Sequence, residues 1–419
     1  MPPAASDPSA PVARSERTVL LTLAAIQFTH VLDFMIMMPL GAELMRVFDL
    51  SPGQFSQLVA AYGGSAAIAG LAGGFFLDRM ERRRALLLFY SGFILATLAC
   101  ALAPTHFTLL AARVLAGVFG GLAGSLVVAC VGDVVPPERR GRGMAFVMSA
   151  FPLASIAGVP LGIVLANRYE WHAPFFLIVV LALPTVFLAA RLLPRRAADA
   201  ATLAAHPFRQ MRNLLAEPIH WRGFAVTAAL VGASGCMIPF MAPSLVSNVG
   251  LSDSQLPWVY FFGGLATFAS TPLLGWLTDR HDKLHVLAAI TVPAAVSAFL
   301  LTRLGPSPLW VVLPLTALFF VGMSGRFGPA STLVLNAVEP RHRGGFTSLN
   351  SAVQSGGVAV ANLIGGALIT RDAAGRLVGY PLVGWFALVM FGVTLVLAHR
   401  LRAAAPHAAT NTPFPLGPR

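Results

Sequence analysis

Charge is scarce in this chain. Only 11% of its 419 residues are Asp, Glu, Lys or Arg, against about 25% in soluble domains. Most of the surface therefore does not face water, which excludes a soluble globular fold. Cysteine is nearly absent too. The three present, Cys100, Cys130 and Cys236, all fall in apolar stretches and fit neither a disulfide framework nor a metal-ligand spacing. No Gly-x-x-x-x-Gly-Lys-Ser/Thr loop occurs, which argues against ATP-driven work. Neither a nucleophile triad nor paired catalytic groups at matching depth stand out. The chain is thus expected to be no enzyme, and to need no metal or cofactor. Lysine is represented once, by Lys283, against 28 arginines, a balance typical of GC-rich bacterial genomes.

What is abundant is apolar: 56% of the residues. A membrane-spanning helix needs about 20 mostly apolar residues. Twelve stretches qualify, near 19–43, 55–77, 85–104, 107–132, 143–167, 171–193, 222–247, 255–278, 284–302, 309–336, 345–370 and 377–399. Their runs are continuous, whereas barrel strands alternate. In hydrocarbon only helices and closed barrels satisfy the backbone. The fold predicted is an all-α polytopic membrane protein. The 39 glycines and 31 prolines are compatible with spanning helices.

The formal charge of +12 is a topology signal and calls for no nucleic acid partner. Of 29 Lys and Arg, 22 lie in the N-terminal tail, the loops after even-numbered spans and the C-terminal tail. Five lie in the opposite loops: Arg46, Arg168, Arg303, Arg371 and Arg376. By the positive-inside rule both termini are cytoplasmic. Residues 1–17 lack a signal peptide's short apolar core and cleavage site, so the first span reads as a retained helix.

Internal repetition divides the chain. Gly74-x-x-x-Asp78-Arg79-x-Glu81-Arg82 recurs 201 residues on as Gly275-x-x-x-Asp279-Arg280-x-Asp282-Lys283. Leu50-Ser51-x-x-Gln54 recurs at the same offset as Leu251-Ser252-x-x-Gln255. Pro137-x-x-Arg140-Gly141 is echoed 203 residues on by Pro340-x-x-Arg343-Gly344. The organisation expected is a cytoplasmic tail (1–17), a six-helix bundle (18–193), a basic cytoplasmic linker (194–218), a second bundle (219–403) and a tail (404–419).

With these motifs the chain resembles the major facilitator superfamily, from about residue 18 to 402. The family's loop between spans two and three, Gly-x-x-x-Asp-Arg-x-Gly-Arg-Arg, is matched by Gly74, Asp78, Arg79, Arg82 and Arg83, with Glu81 where Gly is usual. Leu110-Ala-Ala-Arg113-Val-Leu-Ala-Gly117 matches its fourth-span motif, and Gly158-Val-Pro160-Leu-Gly162 part of its fifth-span antiporter motif. Span one, Leu32-Asp33-Phe34-Met35 through Met38-Pro39-Leu40-Gly41, resembles twelve-span drug–proton antiporters of the arabinose efflux permease-like branch. The resemblance implies two pseudo-symmetric six-helix bundles, with spans one, four, seven and ten lining a central cavity. It also implies a monomer in the bacterial inner (cytoplasmic) membrane.

Several residues then become candidates. Asp33 stands deep in span one, where a charge costs at least ~2.5–3.5 kcal/mol. It reads either as a proton carrier or as half of a fixed ion pair. Asp33 and Arg113 fall in the same outer half of the bilayer, ~15 and ~9 Å deep at ~1.5 Å per residue. The resemblance implicates Arg113 in proton coupling; a structural Arg on span-one carbonyls is the other reading. His30, one turn before Asp33, is either a proton relay or a polar lining residue, and Gln27 precedes it by another turn. Arg326 reads as a contact for a polar or anionic ligand group, as a partner of Asp33, or as a backbone-satisfied side chain. Met37, Met237, Phe240 and Met241 suit a cavity for variable substrates, or ordinary core. Gly74, Asp78, Arg79, Arg82, Asp279 and Arg280 are expected to control conformation. In the family, Asp78 docks on the start of span eleven and locks the outward-open state; a plain basic loop is the alternative. Gly70 and Gly74 would permit close helix contact. Gly158, Pro160 and Gly162 read as a bending point.

The expected function is secondary active transport: proton-coupled efflux of a small organic molecule, such as a drug or sugar, by alternating access, driven by the proton gradient. A proton symporter or uniporter importing a small metabolite is the alternative within transport. A non-transporting membrane sensor is the alternative outside it.

Overall fold

A computed structural model describes residues 16–136, 139–193 and 207–409. The rest of both tails, linker residues 194–206, the pair Pro137 and Glu138, and the Asp78 side chain lie outside the described residues. Among the described residues, eleven helical segments are long and apolar enough to cross a membrane. They are spans one (Glu16–Ile36), two (Pro52–Phe76), three (Arg82–Ala101), four (His106–Val134), five (Arg140–Tyr169) and six (Ala173–Leu192), then seven (Pro218–Ser247), nine (Lys283–Leu301), ten (Leu309–Asn336), eleven (Pro340–Leu368) and twelve (Tyr380–Ala404). Span eight, Leu256–Arg280, is a 25-residue helix diluted by Thr267, Ser270 and Thr271. With it the fold has twelve transmembrane helices in two six-helix bundles. Their outer surface is oily: Ile68, Leu95, Val180, Trp310 and Val389 are exposed, as lipid contact requires.

The repeated sequences turn out to be helix-end devices. Ser51 and Gln54 form a reciprocal capping box at the start of span two. Its copy in the other half sets Gln255 Oε1 to accept from the Ser252 N–H at 3.0 Å. The residues preceding these motifs, Asp49 (φ 50°) and Gly250 (φ 83°), share the left-handed conformation that reverses the chain. Likewise Arg140 Nε donates to Val135 O and Arg343 Nε to Val338 O, both at 3.2 Å. Each arginine folds back on the last carbonyls of the preceding span, where the helix dipole favours a cation.

Four spans are interrupted, each near a proline. Span one, expected to run to about residue 43, stops at Ile36; residues 37–40 form turns, and a short helix, Gly41–Val47, follows. Pro39 has no N–H for the carbonyl four residues back, so the helix cannot pass it regularly. Span five swells into a π-turn at Ala154–Gly158, just before Pro160. Span seven breaks at Cys236 and Met237, before Pro239. Span ten breaks at Arg326, before Pro329. A two-stranded ladder after span eleven, Thr370–Arg371 with Leu377–Val378, has no forerunner in the hydropathy pattern.

The bundles meet through span two on span eleven, span five on span eight, and the Gly41–Val47 helix on the second half of span seven. One face of the molecule carries the described chain ends and the loops after even-numbered spans. On the other face the bundles are sealed. A Cβ on Gly41 would lie 2.6 Å from Phe55 Cζ and 2.9 Å from Pro243 Cγ. One on Gly366 would collide with Ser56 Oγ, and Asn167 Nδ2 donates to Asp253 O at 2.8 Å. On the chain-end face, by contrast, Gly70, Gly74, Gly141, Gly275 and Gly344 all look onto open space. The close helix contact expected at Gly70 and Gly74 is therefore not made in this conformation.

Span four lies against span two through Gly117, where any side chain would strike Tyr62 O and Ser65 Oγ. Gly117→Val should lower stability by about 1–3 kcal/mol, the usual cost of overfilling a close-packed contact. Gly74→Ala should leave the melting temperature of the purified protein unchanged. Equal losses in both variants would refute the assignment of Gly117 as the close approach.

Candidate substrate and proton site

Span one carries Gln27, His30 and Asp33 at three-residue steps, which keeps them along one side of the helix. Asp33 is fully buried, and its Oδ2 accepts from Arg113 Nη1 at 2.8 Å; Arg113 is equally sealed. The same Nη1 lies 3.4 Å from Asp33 O, and Thr97 Oγ1 of span three donates to Asp33 Oδ1 at 3.3 Å. The Arg113 guanidinium also rests on Tyr62 of span two, 4.5 Å from the ring centroid. Charge, cation–π contact and hydrogen bonds thus join four spans around one carboxylate.

Room for this cluster comes from glycine. A Cβ on Gly120 would sit 2.6 Å from the Tyr62 hydroxyl and 2.9 Å from His30 Cδ2; one on Gly124 would be 3.5 Å from His30 Cε1. The interleaved glycines of span four therefore form a channel for the polar tips of spans one and two. His30 lies 6.0 Å from Tyr62 and from Phe93, centroid to centroid. Gln27 Oε1, both His30 ring nitrogens, the Tyr62 hydroxyl, and Arg113 Nε and Nη2 are buried without a protein hydrogen-bond partner among the described residues. Such atoms are expensive to leave unpaired, so their clustering marks a place for polar exchange.

The bending residues of span five press on span one at the same level. A Cβ on Gly158 would lie 2.8 Å from Leu32 Cδ1, and one on Gly162 would collide with Ile36. Pro160 opens the helix that follows the π-turn. On its other side that turn meets the second bundle: a Cβ on Gly264 of span eight would be 3.0 Å from Ile156 N. The span-five turn is therefore wedged between the Asp33 level of span one and the opposite bundle.

Other candidates lie elsewhere. Met37, Met237, Phe240 and Met241 are sealed in one apolar core, where the Phe55 and Phe240 rings meet edge to face at 5.9 Å. In this conformation they plug the closed face. Arg326 is buried in the second bundle, with Gly322 O, Met323 Sδ and the Phe391 ring as neighbours. The carboxylate of Asp33 is taken by Arg113 instead. At the chain-end face Arg79 is exposed, Arg82 lies 3.5 Å from Asp133, and Arg280 covers Trp276 at 4.7 Å. Asp279 belongs to the last turn of span eight. Glu81, the departure from the family loop, pairs with Arg84 at 2.8 Å. Tyr62 and Thr97 were not singled out from sequence. Tyr62 had a signal, as a phenol just ahead of the Gly-Gly-Ser run of span two; Thr97 had none.

A twelve-span, two-bundle protein with a buried acid–base pair and interrupted helices has the build of a secondary transporter. A family model described as Major Facilitator Superfamily matches residues 23–252 and 223–418. The chain belongs to that superfamily. It is 29% identical over 354 residues to a chloramphenicol resistance protein of Streptomyces lividans, covering 80% of this chain and 85% of that one. It is 21% identical over 307 residues to a probable sugar efflux transporter of Pasteurella multocida, covering 73% and 74%. Among solved structures it is similar to a bacterial homologue of the human lysosomal transporter Spinster, in an inward-facing, unoccupied conformation. That match has a TM-score of 0.64 at 19% identity and covers 95% and 97% of the two chains.

Breaking the buried pair from one side leaves a charge without compensation. Arg113→Leu should destabilise the protein by about 3–5 kcal/mol. The double variant Asp33→Leu/Arg113→Leu should cost less than that single change. Thermal melts of the wild type, Arg113→Leu, Asp33→Leu and the double variant measure the coupling, and additive losses would mean that the two residues act independently.

Proposed function

We propose that the protein is a proton-driven efflux carrier of the bacterial inner membrane, exporting a small organic molecule by alternating access. The observation that carries this reading is the fully buried Asp33–Arg113 pair. A carboxyl held in oil with one cationic partner has two states to choose between: paired with Arg113, or protonated and free of it. Rocking of the bundles separates or joins the pair, and substrate and proton then compete for one conformational cycle. The relatives named for chloramphenicol resistance and sugar efflux support export over import.

The cytoplasmic placement of both termini follows from the arginine distribution. The open chain-end face then faces the cytoplasm, and the conformation is inward-facing. The span-five turn transmits motion, being wedged between Leu32 and Ile36 on one side and Gly264 on the other. Closing the cytoplasmic face would bring the Asp78 loop onto the start of span eleven, whose positive dipole end favours a carboxylate.

Asp33→Asn should abolish pH-gradient-driven substrate flux in proteoliposomes while leaving substrate binding intact. A variant that still pumps against a gradient would remove Asp33 from the proton path. In everted vesicles, addition of substrate should discharge an acid-inside gradient; dependence of opposite sense would identify a symporter. Asp78→Ala should enrich the inward-open population, seen as raised labelling of single cysteines introduced on the cytoplasmic side. Unchanged labelling on both sides would exclude the lock.

A further inference from the structure

The second bundle buries one arginine without a counter-charge. Arg326 is 0% exposed. Its Nε donates to Gly322 O at 3.3 Å, and its Nη2 faces Met323 Sδ at 3.0 Å. Its Cζ lies 4.4 Å from the centre of the Phe391 ring. Nη1 has no protein hydrogen-bond partner among the described residues. The acids of spans seven to twelve, their caps and their loops are Glu217, Asp253, Asp279, Asp282, Glu339 and Asp372, and all stand in loops or at span ends. Arg113 has an aspartate at its depth; Arg326 has none.

The backbone presents both dipole ends here: the carbonyl end of Leu309–Gly325 accepts from the guanidinium at Gly322 O, and a second helix begins at the next residue. Span ten breaks at Arg326, and the ten-residue helix Phe327–Asn336 starts beside it. That N-terminus is the positive end of a helix dipole. The guanidinium folds back one turn onto Gly322 O, while the positive end of Phe327–Asn336 starts at the same residue; no carboxylate among the described residues pairs with the Arg326 charge. Interrupted helices whose N-termini meet anionic groups are a recurring way for carriers to hold cargo.

We propose that Arg326 is the anion-recognition residue of the cargo site, and that the exported molecule carries a carboxylate. Nη1, the guanidinium nitrogen left without a partner among the described residues, donates to the carboxylate. Met323 and Phe391 supply soft walls for an aromatic or alkyl body. The break before Pro329 is the hinge that unseals the spot during the cycle. This assignment rests on the transport reading and narrows its substrate class.

The test uses the full chain in nanodiscs, with benzoate, uncharged benzamide and chloride as probes in calorimetric titrations. Benzoate should bind the wild type at least about tenfold tighter than benzamide, a margin one charge-assisted bond supplies. Arg326→Gln should erase that margin. Should Arg326→Gln not fold, Arg326→Lys carries the test: it should weaken benzoate several-fold, as a point charge replaces a fork, and leave benzamide unchanged. Equal binding of benzoate and benzamide would overturn the proposal. So would chloride displacing benzoate at equal affinity, or a folded Arg326 variant that discriminates like the wild type. Proton-driven export of uncharged Nile red by a protein indifferent to benzoate would end this inference and leave the efflux reading standing. Benzoate binding by a protein that moves nothing would do the reverse.

Discussion

A carboxylate and a guanidinium cannot sit unpaired in hydrocarbon, and the first bundle is organised around that prohibition. Asp33 and Arg113 are drawn from different spans to within 2.8 Å. Once joined, they bring Thr97 of span three and Tyr62 of span two with them. The glycines of span four follow from the same demand, because two polar tips and a guanidinium need volume that side chains would fill. Attraction in oil is offset by the cost of leaving water, so the pair is weakly stabilising in net terms.

Around this centre the helices are interrupted where movement is useful. Prolines follow or coincide with the breaks in spans one, five, seven and ten. Each removes one backbone hydrogen bond, and the freed segment can reorient while the flanking half-helices stay rigid. The sealed face is held by large apolar side chains, Phe55, Phe240 and Met241, with few polar links. Apolar contacts separate without stranding hydrogen bonds, which suits a gate.

Much of the architecture was legible in the chain because hydrocarbon imposes a simple grammar of length and hydropathy. The twelve spans come from that grammar, the two halves from the repeated loop motifs, and the expected topology from the arginine asymmetry. The break after Ile36 is hidden in the hydropathy because Met37 and Met38 keep the stretch apolar even where Pro39 ends the helix. The meaning of the repeats was also hidden: Ser51 with Gln54, and Arg140 with Arg343, act on backbone ends that only coordinates reveal. At the site, isolated charges announced themselves against an oily background. Thr97 did not, since a threonine in a spanning helix usually satisfies its own backbone. The environment of the methionines on spans one and seven depends on which conformation the bundles hold, information a single chain does not spell out.

Span eight alone of the twelve falls short of the hydropathy that marks a membrane span, with Thr267, Ser270 and Thr271 in its middle and charged Asp279 and Arg280 at its end. A nascent segment of this kind partitions poorly into lipid on its own. During synthesis it must shelter against helices already released into the bilayer, span five and its own neighbours among them. The polarity of one span thus sets the order in which the membrane accepts the parts of the molecule.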